Sequence, residues 1–157
     1  MKSIRLASER VRAGQGGPGR TFLMCRVGEA HFAIPVERVS EIVLQQPLTD
    51  LPEGPPFVLG VFDHRGMVVR VVDLAAAMGR SEPSSNKSKW VLLSEQGALV
   101  GVRVSQVLDV IRISEKDLRL TPGEIDGGHL TTGAVVMIRS VMAFIMATDR
   151  VSKLAHF

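Results

Sequence analysis

Short apolar runs separated by one or two turn-forming residues recur along the chain. Phe22–Val27 and Ala30–Ile34 flank Gly28-Glu29, which predicts a β-hairpin. Phe57–Phe62 and Met67–Val72 flank Asp63-His64-Arg65-Gly66 and form the clearest hairpin signal; both arms are Val-rich and apolar on both faces, as buried strands are. Trp90–Ser94 and Ala98–Val104 flank Glu95-Gln96-Gly97, and Gly133–Ile138 and Val141–Ala147 flank Arg139-Ser140. Val107–Ile113 is a further strand with partial alternation, followed by a capped turn at Ser114–Asp117. Three segments read as helical. Pro35–Val43 places Val36, Val39 and Val43 on one stripe with Glu37, Arg38 and Glu41 outside, and Pro35 suits a first turn. Leu74–Met78 follows Asp73 as a cap and ends at Gly79, and a last helix carrying Val151 and Leu154 starts at Asp149. Many short strands at regular spacing predict a mostly-β protein built of small barrels.

Between these elements lie polar or Pro/Gly-rich stretches. Arg12–Arg20 is too glycine-rich for a regular element, and residues 1–20 are expected to be a flexible basic arm. The prolines at 47, 52, 55 and 56 favour extended surface chain over a central strand. Arg80–Lys89 is polar and aperiodic, an exposed loop or a junction between two barrel subdomains within a 21–157 domain. Thr121–Thr132 reads as a loop, and no tandem repeat is visible.

Composition narrows the class. With 45 % apolar and 22 % charged residues the chain can bury a core, which excludes a disordered chain. No apolar run is long enough for a membrane helix, and no apolar stretch follows the N-terminal basic residues, so neither insertion into a membrane nor a secretory signal is expected. A single cysteine, Cys25, fits a reducing cytoplasm. The net charge of +3 invites a nucleic-acid reading. Its distribution argues against one: residues 1–20 hold five basic side chains against Glu9, and the rest holds 14 basic against 15 acidic ones. A nucleic-acid-binding barrel needs a basic face on the folded part, interleaved with stacking rings.

Candidate chemistry concentrates at Asp63-His64-Arg65. An enzyme reading makes His64 a general base oriented by Asp63, with Arg65 binding an anion. Adjacent strand residues point to opposite faces and turn tips are exposed, so the favoured reading is recognition, with a hairpin tip presenting a guanidinium to a partner. His31, His129 and His156 lack metal-ligand spacing, Cys25 reads as an inert core thiol, and Gly14–Gly19 lacks the Lys and Ser/Thr of a phosphate loop. No metal, cofactor or nucleotide is expected.

Gly60–Leu74 (GVFDHRGMVVRVVDL) resembles the signature of CheW-like domains, close to G-V-x-N-L-R-G-x-V-[IV]-P-[IV]-[IV]-D-L. Ala33–Ile42 is similar to the family's first helix segment. Leu51-Pro52, Pro55–Val58, Val100–Val110 and Leu130–Gly133 match by spacing or pattern, and the likeness spans residues 21–155. It implies two intertwined five-stranded SH3-like barrels and no enzymatic activity. It also implies a coupling adaptor between the signalling tips of methyl-accepting chemoreceptors and a CheA-type histidine kinase, in a flagellar or a non-flagellar pathway. The family's turn arginine, which bears on receptor coupling, corresponds to Arg65, and Asp63, His64 and Gly66 carry over by position. Val36, Arg38 and Val39 are assigned to the kinase-facing side. Two departures stand out. Asp63-His64 replaces Asn-Leu, where Asp can keep a side-chain-to-backbone turn bond but adds charge and His64 removes an apolar contact; Arg70 replaces the proline.

Overall fold

The computed structural model describes residues 3–4, 18–120 and 128–156. Twelve strands are seen among them: β1 Ser3–Ile4, β2 Gly19–Val27, β3 Ala30–Pro35, β4 Val39–Leu44, β5 Val58–His64, β6 Met67–Asp73, β7 Lys89–Glu95, β8 Ala98–Val104, β9 Gln106–Ser114, β10 Leu118–Leu120, β11 Thr131–Ile138 and β12 Val141–Met146. Two short helices, α1 Leu74–Ala77 and α2 Thr148–Lys153, follow β6 and β12. The expected hairpins are all present. Of the expected arm, Gly19 and Arg20 already belong to β2; residues 12–17 of its lead-in, and 121–127 of the expected 121–132 loop, lie outside the described residues.

The strands form two sheets with orders β1-β4-β7-β8-β6-β5 and β10-β11-β12-β3-β2-β9. The chain moves between them at β1–β2, β3–β4 and β8–β9, so the sheets are intertwined. The polar loop at 80–89 leads from α1 into β7, and β6 and β7 on its two sides both belong to the first sheet, so it does not separate the two. Each sheet contains the same five-strand unit. A hairpin (β5–β6, β11–β12) pairs in parallel with the second arm of another hairpin (β8 of β7–β8, β3 of β2–β3), whose first arm pairs with a bulged strand (β4, β9). The bulges coincide: Ser40 is extra between Val39↔Leu93 and Glu41↔Leu92, and Leu108 between Val107↔Cys25 and Asp109↔Met24.

Strands buried on both faces explain the unbroken apolar runs. Leu23, Cys25, Phe32 and Ile34 of one sheet meet Ile42, Val91, Leu93 and Val102 of the other in a shared core. The alternate residues fill an inner cluster within each sheet: Phe22, Met24, Val136 and Ile145 in one, Val43, Phe62, Trp90 and Leu92 in the other. The tip of β5–β6 departs from the expected burial, since Met67 and Val68 are exposed.

Several local expectations are corrected. Pro35–Val43 is not a helix: Val36–Arg38 is a single 3-10 turn and Val39–Leu44 is β4. The extra residue of the bulge at Ser40 breaks the period of two and leaves apolar residues at helix-like spacing. Asp73 occupies the N-cap position of α1 without a side-chain capping bond, because its carboxylate is taken by Arg103. Asp149 lies inside the first turn of α2, whose N-cap is Ala147, and Ser114 makes no capping bond.

The Pro-rich connection returns to the sheet at one point. Thr49 and Val61 exchange backbone hydrogen bonds of 2.9 and 2.8 Å, which covers part of the free edge of β5. Gly60, with φ at +147°, makes this approach possible: a Cβ there would lie 2.6 Å from the Thr49 carbonyl oxygen. Gly60→Ala should therefore break the bridge and cost about 2 kcal/mol in denaturant unfolding. A loss below about 0.5 kcal/mol would show that the contact yields at no cost.

Candidate functional site: a clasped arginine on an exposed hairpin tip

Arg65 and Gly66 form the two-residue turn between β5 and β6, with φ of +53° and +86°. Positive φ at both central positions suits the right-handed twist of a hairpin. Asp63 secures the turn, its Oδ1 accepting a 2.7 Å hydrogen bond from the Gly66 N–H. The substitution of the family's Asn thus keeps the turn bond. Strand alternation then divides the tip. Asp63 and Val68 face one side, exposed; His64 and Met67 face the other, where His64 is only 4 % exposed.

Beneath the tip lies Glu41, a carboxylate that the sequence placed on the outside of a helix. It sits on β4, and its side chain is 7 % exposed because the bulge at Ser40 turns it inward. Arg65 Nη1 is 3.0 Å from Glu41 Oε1 and Nη2 donates to Oε2 at 3.3 Å, a fork-on-fork pair. The Arg65 side chain nevertheless stays 59 % exposed. His64 Nε2 lies 3.5 Å from the same Oε1, and the His64 ring meets Phe62 edge-on at 5.9 Å. Phe62 in turn packs on Trp90 at 5.0 Å. The tip is a preorganised cation: a buried carboxylate fixes its direction while the side chain stays largely exposed. His64 is buried and meets the carboxylate that holds Arg65. A carboxylate embedded in the β-branched run around Ile42-Val43 is the signal by which sequence reading could have found Glu41.

Arg70, where the family has proline, faces away from this cluster and donates to the Ala155 carbonyl at 2.5 Å, tying the C-terminal segment to β6. Val36, Arg38 and Val39 lie at the β3–β4 corner. Arg38 Nη1 is 3.5 Å from Glu95 Oε2, and Glu95 Oε1 accepts from Thr148 Oγ1 at 2.9 Å, linking this corner to α2. Val39 pairs with Leu93, whereas β1 covers β4 only at Ile42 and Val43.

The larger cavities lie away from the turn. An open groove of about 460 Å³ runs between the sheets, with Leu23, Ile42, Val107 and Val110 as apolar lining and Lys87 and Lys89 at its side. Arg65 is not among its lining residues, so the turn arginine and the inter-sheet groove are separate features. Cys25 is fully buried, and burial pushes its thiol up to about 12. A thiolate is the reactive form, so folded protein should not react with a thiol reagent at about pH 8, and reaction should appear only with unfolding. Prompt labelling of native protein would contradict this burial. No helix among the described residues is long and apolar enough to cross a membrane.

An exposed, pre-oriented cation on a two-sheet β scaffold suits a protein that works through its surface. The family model for the CheW-like domain matches residues 21–155, and the chain belongs to that family of non-enzymatic coupling adaptors between chemoreceptors and CheA-type kinases. It is 33 % identical over 128 residues to protein FrzA of Myxococcus xanthus, covering 80 % of each chain. It is 31 % identical over 105 residues to the chemotaxis protein CheW of Rhizobium meliloti, covering 66 % of this chain and 68 % of that one. The fold matches the crystal structure of the scaffolding protein TtCheW from Thermoanaerobacter tengcongensis with a TM-score of 0.77, at 22 % identity over 82 % of this chain and 89 % of that one.

Proposed function

We propose that the Arg65 tip, with Asp63 and Gly66 holding it and His64 supporting it from below, is the contact for chemoreceptor signalling tips. The corner of Val36, Arg38 and Val39 is the contact for the CheA-type histidine kinase. One observation carries the reading: Arg65 is gripped at both nitrogens by a buried carboxylate and is still more than half exposed. Preorganisation of this kind lowers the ordering cost of binding, and a guanidinium on the same face of the hairpin as the exposed apolar Met67 can bond and pack at once. The adaptor would assemble on the cytoplasmic side of receptor arrays, reaching the membrane only through its partners. Similarity to FrzA as well as to chemotaxis CheW proteins supports service in either a flagellar or a non-flagellar pathway.

Coupling requires that the contacts differ between kinase-on and kinase-off states, since equal affinity for both shifts nothing. The test mixes the purified chain with the host's kinase and a receptor signalling fragment. Receptor control of kinase activity should appear only when the chain is added. Receptor control that is equal without it would end this reading.

A further inference from the structure

The β5–β6 tip carries opposite charges on the two faces of one hairpin. Strand residues alternate between faces, so Phe62 and His64 with their partners Val69 and Met67 point one way, and Asp63 with its partner Val68 points the other. Arg65 leans to the first face, where Glu41 holds it and Met67 is exposed. The second face has no such clasp. Asp63 is exposed and spends only Oδ1 on the turn, accepting the Gly66 N–H. Its Oδ2 meets no donor among the described residues. Arg70 stands on that face one step down the hairpin, opposite Val61, but its Nη1 donates to the Ala155 carbonyl and no ion pair joins it to Asp63. Beside Asp63, Val68 leaves 74 % of its surface in water.

The turn does not need what this face offers. The bond to Gly66 uses one acceptor oxygen, and the neutral side chain of asparagine supplies an equivalent one. The second oxygen and the full negative charge add nothing to the hairpin. Glu41 meets the charge of Arg65 from within, whereas nothing among the described residues meets that of Asp63. The charge the tip leaves over is therefore negative, and it sits against an exposed apolar side chain.

We propose that Asp63 is the specificity-determining residue of the receptor contact. Its uncommitted oxygen selects signalling tips that set a basic side chain, flanked by an apolar one, against the Val68 face. The receptor grips the turn from both sides, with Arg65 and Met67 on one and Asp63 and Val68 on the other. Rejection follows from the same charge: an acidic side chain at that place on a signalling tip meets a like charge. The inference rests on the receptor reading of the Arg65 tip and adds to it the charge that the receptor must carry.

The test titrates the full chain against the purified receptor signalling fragment, with Arg65→Ala run alongside and thermal melts to show that each variant keeps its fold. Asp63→Asn keeps the acceptor for the Gly66 N–H and removes the charge. It should bind about three- to fivefold more weakly in dilute salt, the size of one exposed ion pair. In about 1 M salt, where the screening length shrinks to about 3 Å, it should match wild type. Val68→Lys and Val68→Glu both give up the apolar contact. Val68→Lys, which sets a cation beside Asp63, should be the weaker binder of the two by about tenfold. Neutralising the fragment's basic side chains one at a time should find one whose loss weakens wild type and leaves Asp63→Asn unchanged. Asp63→Asn binding as tightly as wild type, or a loss that persists in concentrated salt, would overturn the inference, and a weakened Arg65→Ala would leave the receptor reading standing. Equal binding by the two Val68 variants, or a fragment in which no basic side chain matters, overturns it as well. Should Arg65→Ala bind as wild type does, the receptor reading fails and this inference fails with it.

Discussion

Replacing Arg103 by alanine should cost the protein about 3 kcal/mol of stability, a large share of the 5–15 kcal/mol a domain has. Arg103 and Asp73 are register partners on the parallel strands β8 and β6. Their nearest atoms, Nη2 and Oδ2, are 2.6 Å apart, and the side chains are only 17 % and 11 % exposed. Arg103 also donates to the Glu82 carbonyl at 3.3 Å, pinning the 80–89 loop. Removing one partner leaves the other charge largely desolvated, which costs more than the pair contributes. The residual exposure places the expected loss at the lower end of the range for buried pairs. Urea unfolding of Arg103→Ala, Asp73→Ala and the double variant decides the matter. The double variant should lose clearly less than the two single losses added, because the stranded charge is gone. Additive losses, or a single loss under about 1 kcal/mol, would show that solvent already screens this pair.

Arg65→Ala should weaken receptor-fragment binding by about 2 kcal/mol, roughly 30-fold, the loss typical of a central arginine. Its effect on stability should be smaller, about 1 kcal/mol, because the Arg65 side chain is more than half exposed. Arg65→Lys separates charge from geometry: an ammonium cannot grip both Glu41 oxygens, so binding should fall part of the way. Glu41→Gln keeps the volume beneath the tip and removes the charge that orients the guanidinium, and should cost binding several-fold with Arg65 still in place. Binding titrations of the three variants against one receptor fragment order these effects. Wild-type affinity in Arg65→Ala would remove the tip from the receptor contact.

The hairpins were legible because their signals are local. Apolar runs of strand length around Gly28, Arg65-Gly66, Gln96-Gly97 and Arg139-Ser140 each contain both arms and the turn. Gly79, in the left-handed region at φ +76°, ends α1 where the pattern stops. The Pro35–Val43 segment misled because a bulge imitates a helical period, and a bulge is a property of the pairing with β7, not of the segment. Asp73 misled for a related reason: its backbone position is a cap, but Arg103, remote in sequence, competes for its carboxylate and wins.

Residue order alone determined the strand content, the turns and the hairpin that carries Arg65, since each depends on neighbours a few positions apart. Only the tertiary structure decided that β4 brings a buried Glu41 beneath that turn and that Arg103 takes the Asp73 carboxylate. Both outcomes depend on strand register between segments far apart in the chain, where a single extra residue reverses which side chains face inward.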